Sequence, residues 1–248
     1  MCNGFTLIEL LIVITIIGIL ASALTVAVRV GFKAARQAHC KSNLQQLGVA
    51  VNVYRSEHDD QVPDWISNLY PEYMDDLSTY VCSADTSSPK GSDTPMPSGL
   101  MKIIYANFYD KNPAAWDNWQ GTGQTRNLAV TRCSYCYEFS AAEGASNWYG
   151  GDPLPAHELG FTTMGQYKRI QLLYGDKNNW INNRQMPYSA SQVPLIRCYH
   201  HYKDQFILGQ QGSDNTTIGR RPMVINVAYA GNVFVSPPYW EGMSRLGK

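Results

Sequence analysis

Residues 5–28 read FTLIELLIVITIIGILASALTVAV, with Glu9 as the single charge among them. At about 1.5 Å per residue the run predicts a helix about 36 Å long, enough to cross a hydrocarbon core of about 30 Å. A lone carboxylate in such a core costs about 2.5–3.5 kcal/mol even on lenient insertion scales, so Glu9 should have a partner. The stretch therefore reads as a membrane segment whose one acid carries a task.

Working outward, Met1-Cys2-Asn3-Gly4 precedes the helix. A cut between Gly4 and Phe5 would expose a positive amine on Phe5, one helical turn from Glu9 and on the same face. At about 4 Å and an effective dielectric near 20, that pairing within or between subunits is worth about 4 kcal/mol of Coulomb energy, comparable with the insertion cost. The acid then marks register between packed helices.

The string GFTLIELLIVITIIGIL, residues 4–20, resembles the class III signal of type IV pilins and type II secretion pseudopilins. The resemblance implies that a prepilin peptidase cuts after Gly4, that the Phe5 amine is methylated, and that Glu9 guides assembly. Two features depart from the family pattern: residues 1–3 contain no Lys or Arg, and residues 21–36 contain no proline. Local melting of the helix in a filament would thus rely on Gly18, Gly31 or Thr25. The competing reading is an ordinary secretory signal cut after Ala21-Ser22-Ala23, leaving Leu24 as the new terminus; the acid inside the apolar run and the missing basic residues argue against it. Arg29, Lys33, Arg36 and Lys41 follow the span, so the positive-inside rule alone would hold the rest of the chain in the cytoplasm. The cysteines and the family resemblance point the other way.

The helix is predicted to continue to about Arg55. Leu44, Leu47, Val51 and Tyr54 make an apolar stripe, while Lys41, Asn43, Gln45 and Asn52 lie largely off it. His58-Asp59-Asp60-Gln61-Val62-Pro63 ends the helix, and Glu57 to Asp60 read as a solvated terminus, since neighbours on one backbone seldom converge on one ion. Residues 65–80 predict a short helix and turn. Strands are expected at 102–109, at 132–139, at 193–202 pairing with 205–208, and at 223–235 as a hairpin around Ala230-Gly231-Asn232. Residues 160–174 are ambiguous between strand and helix. The expected organisation is a leader at 1–4, a membrane and filament-core helix at 5–28, its amphipathic extension at 29–57, and one globular head at 58–248. The fold class is α+β, a long helix packed on an antiparallel sheet with long loops.

The charge balance, 20 Lys+Arg against 20 Asp+Glu with no dense basic run, gives no electrostatic support for nucleic-acid binding. No G-x-S-x-G, G-x4-G-K-[ST] or H-E-x-x-H occurs, and His157-Glu158 lacks a second histidine, so no enzyme is expected. The six cysteines are Cys2, Cys40, Cys82, Cys133, Cys136 and Cys198. In a membrane-tethered chain they favour disulfides among Cys40, Cys82, Cys133, Cys136 and Cys198, with the pairing open. The alternatives are free thiols, or a zinc site of Cys133 and Cys136 completed by Cys198 with His200 or His201.

The segments around residues 43–54, 62–71 and 80–82 also resemble bacterial G-type pseudopilin-like heads, which makes Cys40 and Cys82 framework positions. In those relatives a histidine precedes an Asp-Gly turn in the carboxy-terminal strands; His200 or His201 would match it, while Ala230 stands where the aspartate would be. The resemblance also raises calcium in the loop at 209–219, where Asp214 and Asn215 are a thin ligand supply for an ion wanting six to eight oxygens. No cofactor is otherwise expected. The implied function is a structural filament subunit of a type IV pilus or type II secretion pseudopilus. Its partners would be identical or related subunits, the peptidase and inner-membrane assembly machinery. It would reside in the inner membrane before assembly and in a periplasmic or extracellular filament afterwards. The alternative is a membrane-tethered or pilus-borne binding module reading a glycan or surface partner through loops rich in Tyr and Trp, among them Trp116 and Trp119.

Overall fold

A computed structural model of the chain describes residues 7–85, 126–141, 163–175, 180–181, 184–201, 206–208, 220–222 and 224–236. The expected strand at 102–109 and the Trp116/Trp119 loop lie outside these residues. Two compact units divide the chain, Met1–Ala38 and His39–Lys248.

Helix α1 runs unbroken over Leu7–Glu57. Gly18, Thr25 and Gly31 are all helical in it. In the first unit every side chain described from residue 7 to residue 36 is exposed. In the second, the helical spacing of Cys40, Leu44, Leu47 and Val51 turns all four into the core. Asn43 departs from expectation. It is buried on the same face, and its amide is satisfied by donating to the Val81 carbonyl at 3.2 Å. The helix stops because Asp59 and Asp60 adopt left-handed φ values of 51° and 61°, which short polar side chains tolerate better than most. Arg55 then ties this end to the head: its guanidinium pairs with Asp60, donates to the Tyr229 carbonyl at 3.1 Å and lies 3.8 Å from the Tyr229 ring centroid.

The head is built on one four-stranded antiparallel sheet in the order β1 (Cys136–Tyr137), β4 (Pro194–Cys198), β7 (Val224–Ala228), β8 (Val233–Ser236). The expected strand at 132–139 keeps only two ladder residues. Before them, Ser134 N–H turns to the Tyr80 carbonyl at 2.9 Å, while after them Glu138 N–H still reaches β4 at the Leu195 carbonyl at 3.0 Å. The β7–β8 hairpin turns where expected, with Gly231 at φ 90° in a conformation that disfavours other residues. Strand β5 (Phe206–Leu208) pairs with β6 (Arg220–Pro222) instead of with β4. A run of three residues carries too little pattern to choose its partner. A further ladder joins β2 (Trp180–Ile181) to β3 (Arg184–Gln185).

The ambiguous segment is a helix, α2 (Met164–Tyr174). It opens on a capping box in which Thr163 and Gln166 each satisfy the other's backbone N–H. Residues 66–69 and 77–80 form 3-10 helices. Both middle strands are wholly buried, so the sheet is covered on both faces. One face carries Cys198, Ile225 and Val227 into the apolar core shared with α1. On alternate positions lies a buried polar group in which Glu138 forms an ion pair with Lys168 and accepts from Arg197, each at 3.2 Å. Arg197 Nε also donates to the Asn226 side chain at 2.9 Å.

Candidate functional site

Two places in the described residues carry chemistry beyond packing. The first is the surface of α1 in the Met1–Ala38 unit. Large apolar side chains there are exposed around the whole helix, from Leu7 at 84% to Val13 at 44%. This is the one helix, among the described residues, long and apolar enough to cross a membrane. Its hydroxyls are turned inward along the helix itself. Thr15 donates to the Ile12 carbonyl at 2.7 Å, Ser22 to that of Ile19 at 2.7 Å, and Thr25 to that of Ala21 at 2.8 Å. Polar hydrogens are thus satisfied without water, as an apolar surrounding requires. Glu9 sits on the exposed surface near the start of the helix. Gly4 and Phe5 lie outside the described residues.

The second place is inside the head. Cys40 of α1, Cys82 after the 3-10 helix at 77–80, Cys198 at the end of β4, and His201 in the following turn bring their ligand atoms within 4.8 Å of one another. All four are at most 1% exposed. Cys82 Sγ lies 3.3 Å from His201 Nε2 and accepts the Ala84 backbone N–H at 3.4 Å. Hydrogen bonds from Cys198 and Cys40 hold the Cys82 thiol far below its usual range. Cys40, though its bond with Cys198 pulls downward, is pushed up by its bond to Cys82 and by burial, and burial pushes Cys198 up.

The two neighbouring histidines divide their work. His201 faces the thiols, whereas His200 Nε2 lies 3.6 Å from Asp85, which also accepts from the Ser134 hydroxyl. Burial lowers the His200 pKa, against the opposing pull of Asp85.

The fold groups the cysteines differently from the zinc alternative built on Cys133 and Cys136. Cys133 and Cys136 do not belong to the cluster: Cys133 bonds toward the Tyr135 carbonyl at 3.7 Å, and Cys136 is buried, with Glu138, Arg197 and Lys168 among the charges acting on it. Cys133 lies outside the two-residue strand that carries Cys136, and the fold separates two members of a local motif that spacing alone seemed to join. Among the described residues, Cys40, Cys82, Cys133, Cys136 and Cys198 are all buried, and no disulfide joins them in this structure. The sequence did hold a usable signal, the C-x2-H spacing of Cys198 and His201, but their true partners are distant in the chain. The grouping offers sulfur and nitrogen, and nothing in it favours calcium; the 209–219 loop lies outside the described residues, as does the aromatic-rich loop proposed for binding.

Residues 1–25 match the family model described as the prokaryotic N-terminal methylation motif. Over 166 residues the chain is 29% identical to the type IV major pilin protein PilA of Myxococcus xanthus (strain DK1622), covering 57% of this chain and 73% of that protein. The chain is thus similar to type IV pilins in its amino-terminal motif and along this relative. Its α+β layout, a long amino-terminal helix followed by a small antiparallel sheet, agrees. No solved structure matches it. The apolar helix with its matching motif suits anchoring in a membrane.

Proposed function

We propose that this pilin-like chain is processed after Gly4, methylated on Phe5, and built into a type IV pilus or type II secretion pseudopilus through α1. In this reading residues 1–4 are a leader, 5–28 form the filament core, 29–57 extend the helix, and 58–248 form the head displayed outside the inner membrane, in the periplasm or beyond. Prepilin peptidase and the inner-membrane assembly machinery act on it in that order.

The observation that carries the proposal is a helix apolar all round, with its hydroxyls bonded to its own carbonyls and a single acid near its start. An apolar helix gains no hydrophobic energy on moving from lipid to a bundle of like helices, so packing and the pairing of Glu9 with the new Phe5 amine must supply specificity. Glu9→Leu should leave membrane insertion intact and abolish recovery of sheared filaments. Normal filaments from that variant would sink the mechanism. Sequencing the mature terminus adds a second check: methylated Phe5 supports it, Leu24 indicates ordinary secretion, and Met1 a permanent anchor.

A further inference from the structure

We infer that Cys40, Cys82, Cys198 and His201 form a structural zinc site, the three cysteines binding through Sγ and the histidine through Nε2. The inference is independent of how the chain is processed or assembled. Three elements far apart in sequence deliver four soft or borderline donors to one buried point, with all ligand atoms within 4.8 Å. Zinc–sulfur bonds of about 2.3 Å and a zinc–nitrogen bond of about 2.0–2.1 Å place tetrahedral ligand atoms about 3.5–3.8 Å apart. The separation of 3.3 Å between Cys82 Sγ and His201 Nε2 already falls near that figure.

The donor set decides the ion. Three sulfurs and one imidazole are a closed zinc set, while calcium wants oxygens and an iron–sulfur cluster usually takes four thiolates. Burial of all four residues leaves no open coordination position for substrate water, which makes the site structural. The Ala84 N–H directed at Cys82 Sγ is the kind of outer contact that supports a metal-bound thiolate.

A disulfide is the competing use of these residues. It would consume two of three thiols, strand the third beside His201, and need a sulfur–sulfur distance of about 2.05 Å. Zinc uses all four groups, and the ligating thiols give up their protons to solvent on binding. The metal would clamp the buried half of α1 to the end of β4 and to the loop carrying Cys82, closing two long loops through one point.

The test uses the full-length chain purified in detergent. Elemental analysis should find about one zinc per chain, and cobalt(II) exchanged into the site should show tetrahedral ligand-field bands with thiolate charge transfer. Cys198→Ser should lower bound zinc at least about tenfold, whereas Cys136→Ser, a buried thiol outside the cluster, should keep it. His201→Cys should retain the metal and move the cobalt spectrum toward a four-thiolate site, so the proposal stays testable even if Cys198→Ser misfolds. A disulfide between any two of Cys40, Cys82 and Cys198 in the non-reduced peptide map would overturn it. So would unchanged zinc in Cys198→Ser, or a folded chain with three free thiols that takes up neither metal.

Discussion

The two halves of α1 share one backbone ladder and one residue period, yet they meet opposite environments. From residue 7 to residue 36 the described side chains are exposed, although most are Leu, Ile, Val or Ala; from Cys40 onward a stripe of similar residues is fully buried. The second half finds its partner surface in its own head, on Ile225 and Val227 among others. Through Val28 the first half is apolar around its whole circumference apart from Glu9, a pattern that one-sided packing on a head cannot satisfy. Helix propensity therefore says little about what each half does. The distribution of apolar residues around the helix separates a segment made for the interior of one chain from a segment made for lipid and for other chains.

The largest test of the self-contained half lies on the far face of its sheet. Glu138 holds Lys168 and Arg197 at 3.2 Å each, with all three side chains at most 1% exposed. Glu138→Ala removes the carboxylate that these two buried cations share and should destabilise the head by about 3–5 kcal/mol. Urea denaturation of the detergent-solubilised chain, followed by tyrosine and tryptophan fluorescence, measures the change. A loss below about 1 kcal/mol would show that water or another anion reaches the pair, and that the head is less self-sufficient than its burial indicates.

A matched pair of leucines tests the contrast directly. Leu47→Ala empties a fully buried position and should cost about 3 kcal/mol in the same assay. Leu11→Ala, at a side chain 51% exposed, should move the head's midpoint by less than about 0.5 kcal/mol. Its effect should appear instead as fewer sheared filaments. Equal effects on the midpoint would erase the distinction between the halves.

Much of this contrast was legible in the sequence, because it is local. The uninterrupted apolar run, the stripe of Leu44, Leu47 and Val51, the helix stop before Asp59 and Asp60, and the turn at Gly231 all follow from periods and turn chemistry within a few residues. The α2 start was legible too, since Thr163 and Gln166 have capping-box spacing, but the aromatic and apolar residues around them also suit a strand. What periodicity could not supply were the long-range meetings. Arg197 sits in a run that reads as an ordinary strand, and only the β1–β4–β7 order makes it the partner of Glu138 and Asn226. The thiol cluster has the same origin. A close Cys-x-x-Cys draws attention to Cys133 and Cys136, while the tertiary fold selects cysteines on separate elements.

Glycines along α1 give the smallest and finest probe. A Cβ built on Gly48 would lie 2.7 Å from Val227 Cγ2, whereas one built on Gly18 or Gly31 meets nothing within 4 Å. Alanine at any of the three gains about 1 kcal/mol of helix propensity. At Gly48 the new methyl must also displace a buried β-branched side chain whose χ1 is stiff, an overpacking penalty of about 1–3 kcal/mol. Gly48→Ala should therefore destabilise the head by about 1 kcal/mol net. Gly31→Ala should leave the head unchanged and slow amide exchange in the surrounding turns about fivefold, the equivalent of about 1 kcal/mol. Filament yield then gives the decisive comparison. If neighbouring helices approach closely at Gly18 or Gly31, the alanine variants will assemble poorly despite their firmer helices, as expected where small residues set helix–helix distance. If they assemble normally, these glycines serve the chain alone, and packing between subunits must be set by the larger apolar side chains around them.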